Sequence, residues 1–281
     1  MKNRNQFLSL LLAVMLVSFS CKKEETKPAP SPAPVDPTPT LTLVKMGETY
    51  LAGAGAKAMV YAKKAFETGY NEVYVALYDS IDGSKLNSGH FGVEPMMDMG
   101  IMQHSCPVET TQDTITTNGY FKSVVYFSMA GTASQWRLDF SFHNHKNEKY
   151  GEGSLGAEVK ASSPSKFKIT TLSLDSNKVL FLSFLEPSKP VVGINDLEIV
   201  LHHKKSGMMY VPVENYTIEI EPNMPSMGHG SPNNVNPTHQ SKGHYKGKVN
   251  YTMTGLWQIK LKIYKAGVLI SEDQYFEMTL E

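Results

Sequence analysis

The chain has 281 residues, and its 27 basic and 27 acidic side chains give a formal net charge of zero at pH 7. This balance gives no indication of the basic surface by which proteins bind nucleic acids, so we do not expect a nucleic-acid partner. The two cysteines are too few for a disulfide-rich scaffold. About 240 residues follow the N-terminal segments, enough for one large or two ordinary domains.

Residues 1–20 have the organisation of an export signal. Lys2 and Arg4 form the positive start, residues 7–17 form a short apolar core, and a small residue precedes Cys21. The apolar run is too short to span a bilayer comfortably, which indicates cleavage. The site resembles a bacterial lipoprotein signal, in which Cys21 becomes the lipidated first residue. A plain secretory signal is the alternative.

Residues 21–40 favour the lipoprotein interpretation. Proline recurs throughout this segment, and such chains are extended and semi-rigid, as a tether between a membrane and a domain must be. The charged start, Cys-Lys-Lys-Glu-Glu, resembles signals that send some lipoproteins to the outer face of the outer membrane. We therefore expect a lipid anchor in the outer membrane, on its periplasmic side or at the cell surface.

Alternating apolar residues predict β-strands along residues 41–161. The clearest alternation is in 136–142, where Trp136, Leu138 and the two phenylalanines face inward. Residues 58–66 are compatible with either helix or strand. The other predicted strands of this half are 41–46, 72–78, 120–129 and 155–159.

The second half repeats this pattern after a boundary at residues 161–164. Its predicted strands are 167–174, 179–185, 197–201, 216–220, 246–252, 257–264 and 274–280. Short strands with one apolar face and turn residues between them are typical of a β-sandwich. We predict an all-β protein with two tandem immunoglobulin-like β-sandwich domains, 41–161 and 164–281.

The chain contains the same module twice. Counted from Gly119 and Gly243, equivalent residues agree without a gap as far as Gly131 and Gly255. Three extra residues then precede Trp136 relative to Trp257. Self-similarity at such a period indicates repeated structural units.

Residues 221–257 carry the strongest chemical signal, Met-Pro-Ser-Met-Gly-His within a loop rich in Pro, Gly and Asn. Thioether and imidazole donors together suit copper, whereas zinc hardly uses thioethers. Two further histidines of the loop could complete a three- or four-donor site. The predicted ligands are Met224, Met227, His229, His239 and His244.

The upstream copy is richer in methionine and suits Cu(I). Its predicted ligands are Met96, Met97, Met99, Met102 and His104. Cys106 is close by, but the second copy has Ser231 in its place, so a shared mechanism cannot use a thiolate. Burial of these methionines as a plug in irregular core gaps is the alternative.

Other positions carry weaker signals. We expect Met129 and Met253 in the core, together with Trp136 and Trp257. His143 and His145 share one strand face and could hold a metal, although a strand end in solvent is the favoured interpretation. His202 and His203 are expected at the surface.

The loop and the strand after it resemble the YtkA-like (FixH-like) family, whose pattern is Met-Pro-x-Met-x-His, a variable loop, Gly-x-Tyr and Met-x-Gly-x-Trp. The matching residues of the second domain are Met224, Pro225, Met227, His229, Gly243, Tyr245, Met253, Gly255 and Trp257. The first domain matches more loosely, as a degenerate copy. The resemblance implies an exported immunoglobulin-like β-sandwich near copper-handling systems, with no catalytic residues.

The sequence raises three hypotheses about function. The leading hypothesis is a membrane-anchored lipoprotein that binds copper for buffering or for delivery to an envelope copper-handling protein. The alternative is a non-catalytic spacer or protein-docking module of the cell envelope. No nucleophile elbow, His-Glu-x-x-His or phosphate loop is present in the sequence, so we do not expect an enzyme.

Overall fold

The computed structural model describes residues 41–110 and 114–281. The predicted signal peptide, the lipidated Cys21 and the tether lie outside the described residues. Over the two described ranges the chain is all-β, as predicted, and contains no helix. None of the described segments is therefore a helix of the length and hydrophobicity needed to cross a membrane.

The strands of the first half alternate between inward and outward residues. They are β1 (Val44–Leu51), β2 (Ala56–Ala62), β3 (Phe66–Glu67), β4 (Gly69–Asp79), β5 (Lys85–Leu86), β6 (Gly89–Asp98), β7 (Gln103–Ser105), β8 (Val108–Thr110), β9 (Phe121–Phe127), β10 (Trp136–Asn144), β11 (Lys149–Gly156) and β12 (Val159–Lys160).

The second half adds ten strands. They are β13 (Phe167–Leu172), β14 (Lys178–Glu186), β15 (Gly193–Ser206), β16 (Met209–Pro212), β17 (Tyr216–Met224), β18 (His229–Gly230), β19 (Val235–Ser241), β20 (His244–Tyr251), β21 (Gly255–Lys265) and β22 (Val268–Leu280).

Each half folds into two facing sheets with the same strand order. In the first, a six-stranded sheet has the order β1-β2-β4-β9-β8 with β5 beside β4, and a four-stranded sheet has the order β11-β10-β6-β7. In the second, the orders are β13-β14-β15-β20-β19 with β16 beside β15, and β18-β17-β21-β22. Each of the ten strands of the second sandwich has a counterpart in the first, which also has a two-stranded parallel sheet of β3 and β12. The tandem immunoglobulin-like fold predicted from the sequence is confirmed.

Each sandwich has its own apolar core between its two sheets. One core is formed by residues between Leu51 and Val159, and the other by residues between Leu172 and Leu280. Trp136 and Trp257 are fully buried at equivalent places in these cores, as predicted. The predicted boundary at 161–164 lies between β12 and β13.

A third apolar cluster joins the outer faces of the two six-stranded sheets. Val124 and Tyr126 on β9 pack against Phe167, Phe181 and Val200 of the second sandwich. The ring of Phe181 also meets the ring of Tyr210 edge to face, with 5.1 Å between centroids. Residues 41–281 consequently form one compact unit.

The segments predicted as Met-rich loops are largely strands. β6 was missed, and β17 continues four residues beyond the predicted end at Ile220, as far as Met224. β18 and β19 also lie in the predicted loop. Their sequences are rich in Pro, Gly and Asn, which disfavour strands locally, but pairing with β10, β17 and β20 supplies the backbone hydrogen bonds.

The interface cluster leads to a stability prediction. We expect Phe181→Ala to lower the free energy of unfolding by about 3 kcal/mol, because it empties a buried aromatic site between the sandwiches. Chemical denaturation followed by circular dichroism measures the effect. The control is Tyr275→Ala on the exposed face of β22, and a loss no larger than that of the control would contradict the packing role.

Candidate metal centres

A methionine and a histidine face each other across one hairpin in each sandwich. Met97 on β6 is the register partner of His104 on β7. Met224 on β17 is the register partner of His229 on β18. Side chains of directly opposed residues in an antiparallel pair lie on the same side of the sheet, about 5 Å apart at Cβ. Each hairpin therefore places one thioether beside one imidazole.

A tryptophan orients the imidazole in both hairpins. The rings of His104 and Trp136 are perpendicular, with 5.6 Å between centroids. The rings of His229 and Trp257 repeat this arrangement at 5.8 Å. Each indole is fixed in turn by its N–H, which donates 3.0 Å hydrogen bonds to the carbonyl oxygens of Met129 and Met253 respectively. We refer to these two clusters as the Met–His–Trp sites.

A glycine lies against each of the two methionines. A Cβ at Gly131 would lie 2.9 Å from the Met97 methyl carbon, and a Cβ at Gly255 would lie 2.9 Å from the Met224 methyl carbon. The paired glycines therefore leave room for the methionine side chains. Gly255 also has a φ of 116°, which favours glycine.

The state of His104 fits a metal ligand. Its Nδ1 lies 3.2 Å from the carbonyl oxygen of Ser105, which can only accept, so Nδ1 carries the proton. Its Nε2 is buried and has no hydrogen-bond partner among the described residues. In the neutral tautomer with the proton on Nδ1, Nε2 carries a lone pair, and an imidazole nitrogen beside a thioether suits a soft cation.

The other predicted ligands divide into three groups. Met96 is buried but is the neighbour of Met97 on β6 and so points to the opposite side of the strand. Met99, Met102 and Met227 are exposed at the hairpin turns. His239 and His244 lie on β19 and β20, in the six-stranded sheet, whereas Met224 and His229 lie in the four-stranded sheet. The structure does not bring all five second-domain residues together.

His244 is bound by carboxylates of both sandwiches. Its Nδ1 donates to Glu198 at 2.6 Å, and its Nε2 donates to Glu109 of the first sandwich at 2.9 Å. Burial opposes the charged imidazolium, but these two bonds outweigh it and raise the pKa of His244 to about 9. With both nitrogens protonated at neutral pH, His244 is a cation in the interface and has no lone pair for a metal.

Three further expectations were wrong. His202 is 3% exposed and packs on Tyr126, and burial lowers its pKa to about 4, so it is not a surface residue. Met129 and Met253 are exposed rather than in the core, because β9 and β20 end before them.

Cys106 lies in the first core. Burial there raises the pKa of its thiol, which disfavours the thiolate that a soft metal would need.

A separate cluster of three histidines lies at the other end of β10. One nitrogen from each of His90, His143 and His145 lies within 4.8 Å of the other two, a geometry that could hold a metal. Sequence reasoning missed His90, since only the pairing of β6 with β10 places it beside His143. The alternation of His143 and His145 was the available signal.

The family comparison concerns the second sandwich. Residues 181–262 match the model of the YtkA-like family. This YtkA-like segment runs from β14 into β21 and includes Met224, His229 and Trp257. No curated protein shows a significant match to the chain. The matched segment thus contains one of the two Met–His–Trp sites, and the first sandwich repeats the strand order of the second.

The carboxylate pair around His244 predicts a pH dependence. A pKa raised from 6.5 to about 9 means that the stabilisation is complete below pH 6.5 and is lost as the pH rises through 9. We expect the wild type to lose between about 1 and 3 kcal/mol over this range, because a tenfold change in proton affinity corresponds to about 1.4 kcal/mol.

Thermal unfolding between pH 6 and 10 measures this loss. His244→Gln should flatten the profile, whereas the control His239→Gln on the neighbouring strand should retain it. If the stability of His244→Gln fell with pH as steeply as that of the wild type, His244 would not be the group responsible for the loss.

Proposed function

We propose that the protein is a lipid-anchored protein of the cell envelope that binds Cu(I) at its two Met–His–Trp sites, for buffering or for delivery to a partner. One observation carries the proposal. A methionine–histidine pair, with the histidine packed against a tryptophan, occurs at equivalent positions of both sandwiches.

The donor chemistry favours Cu(I) over other ions. A thioether is a soft, neutral ligand, and imidazole is a borderline one, so the pair suits Cu(I) better than Zn(II) or the hard cations. Met97 and Met224 are 3% and 2% exposed, which keeps the thioethers from water. His104 and His229 are only half-buried, so the sites are accessible from one side.

The hairpin turns support exchange of the ion. Met99 and Met102 lie exposed in the turn between β6 and β7, and Met227 lies exposed in the turn between β17 and β18. Flexible thioethers at the entrance could pass a soft ion between the buried site and a copper-handling partner. Delivery requires such exchange, whereas a structural metal site does not.

Protein docking is the second candidate function. Exposed methionines adapt to many partner surfaces, and the same hairpin turns would present them. In this case the buried Met97 and Met224 would serve only as core residues. The two functions therefore differ in whether the buried thioethers contact a metal.

The copper proposal is tested by Cu(I) titration of the full-length protein in detergent, under reducing conditions and against a chromophoric competitor. We expect two equivalents for the wild type. Met97→Leu and Met224→Leu keep the side-chain volume and remove the sulfur, so each should weaken one site by roughly 10- to 100-fold, the range found even for indirect metal contacts.

Tryptophan fluorescence shows which of the two sites has bound Cu(I), because the chain has two tryptophans and each site contains one. In a Trp136→Phe background, Cu(I) should quench Trp257, and Met224→Leu should abolish the quenching. Met46→Leu in β1 is the matched control and should change neither site. Unchanged Cu(I) affinity in Met97→Leu and Met224→Leu would shift the assignment to docking.

The anchor is tested separately. We expect Cys21→Ser to move the protein from the membrane fraction to the soluble fraction, because the acyl chains would be lost. Fractionation and immunoblotting measure the distribution. Retention of the Cys21→Ser protein in the membrane pellet would contradict lipid anchoring, while leaving the copper proposal untouched.

A further inference from the structure

We propose that His90, His143 and His145 form a metal site of a different class, which takes a divalent first-row transition ion such as Zn(II) or Cu(II). We refer to these residues as the His triad. The proposal does not depend on Cu(I) binding, because the His triad shares no residue with the Met–His–Trp sites.

Strand pairing places two of the three imidazoles side by side. His90 on β6 and His143 on β10 are register partners, so both side chains lie on one side of the four-stranded sheet. Their rings are stacked, with 5.9 Å between centroids and 7° between planes. A Cβ at Gly89, next to His90, would lie 2.5 Å from the carbonyl oxygen of His143, so glycine permits this close pairing.

The third imidazole, that of His145, lies in a turn whose backbone is held by side-chain hydrogen bonds. His145 follows two residues after His143, at the start of the turn to β11. The side chain of Asn144 is buried and donates to the carbonyl oxygen of Ala54 at 3.0 Å, and that of Asn147 donates to the same oxygen at 3.1 Å. The backbone under the His triad is therefore held in place, as a preorganised site requires.

The distances are within reach of coordination. In a tetrahedral zinc site with Zn–N bonds of about 2.0–2.1 Å, the nitrogens are roughly 3.3 Å apart. One nitrogen of each triad residue already lies within 4.8 Å of the others. His90 is exposed, and His143 and His145 are half-buried, so small side-chain rotations can close the gap.

The surroundings also match a divalent ion. Glu148 has an oxygen 3.6 Å from Nε2 of His143, and it can supply a fourth ligand or orient that imidazole. Three neutral imidazoles with a carboxylate suit Zn(II), Cu(II) and Ni(II), and leave the thioether-preferring Cu(I) to the other sites.

The two kinds of site are far apart on the same sandwich. His143 is seven residues from Trp136 along β10. At about 3.3 Å per strand residue, this separation is roughly 23 Å. One ion cannot bridge them, and each can be removed without altering the other.

The second sandwich supplies a natural control. At the positions equivalent to His90, His143 and His145 it has Thr217, Tyr264 and Ala266. Thr217 and Tyr264 are register partners in β17 and β21, as His90 and His143 are in β6 and β10. The same strand pairing therefore accommodates either three histidines or Thr, Tyr and Ala. The residues of the second sandwich can replace the His triad without disturbing the pairing.

The test is titration of full-length protein with Zn(II) and, separately, with Co(II), whose visible absorption reports tetrahedral nitrogen coordination. We expect one equivalent of Zn(II) in the wild type. The triple variant His90→Thr, His143→Tyr, His145→Ala should weaken this binding at least 100-fold and lose the Co(II) absorption. Its thermal unfolding, measured without metal, verifies that it folds.

The matched control is His104→Gln with His229→Gln, which should retain Zn(II) binding and weaken Cu(I) binding. The His-triad variant should do the reverse. Wild-type Zn(II) affinity in a folded His-triad variant would overturn the proposal. Wild-type Cu(I) affinity in His104→Gln with His229→Gln would instead overturn the Met–His–Trp sites and leave the His triad standing, so the two failures are distinguishable.

Discussion

The antiparallel pairing of β6 with β10, and of β17 with β21, is the constraint on which the cores and the candidate sites depend. Successive residues of a strand face opposite sides, so a slip of one residue would move every side chain to the other face. In the observed register Met97 faces the core beside Trp136, and His90 lies beside His143. One pairing thus positions a soft donor set at one end of the strand and an imidazole set at the other.

The two sandwiches share the Met–His–Trp arrangement but not the His triad. Both have a methionine, a histidine and a tryptophan at the same end of the sandwich, with a glycine that leaves room for the methionine methyl group. At the opposite end the copies differ, and Tyr264 stands in place of His143. The core side of the strands tolerates little change because its volume is filled, whereas the solvent side can acquire new chemistry.

The interface between the sandwiches combines apolar packing with half-buried charge. The cluster around Phe181 removes aromatic surface from water, and His244 joins it as a cation between Glu109 and Glu198. Removing charges from water is costly, and good hydrogen-bond geometry is needed to offset that cost. Here both imidazole nitrogens are bonded to carboxylates. His244 therefore has a structural role in the interface that is unrelated to metal binding.

The sequence by itself determined the all-β class, the duplication, the burial of Trp136 and Trp257, and the presence of methionine and histidine beside them. Alternation and repetition are local properties, and both can be read along the chain. The tertiary structure decided which donors meet. It places Met97 rather than Met96 beside His104, and His90 beside His143. It also brings His244 within hydrogen-bond distance of Glu109, 135 residues earlier in the chain. These contacts run between strands and between sandwiches, and their partners depend on register and sheet packing, which a local pattern does not contain.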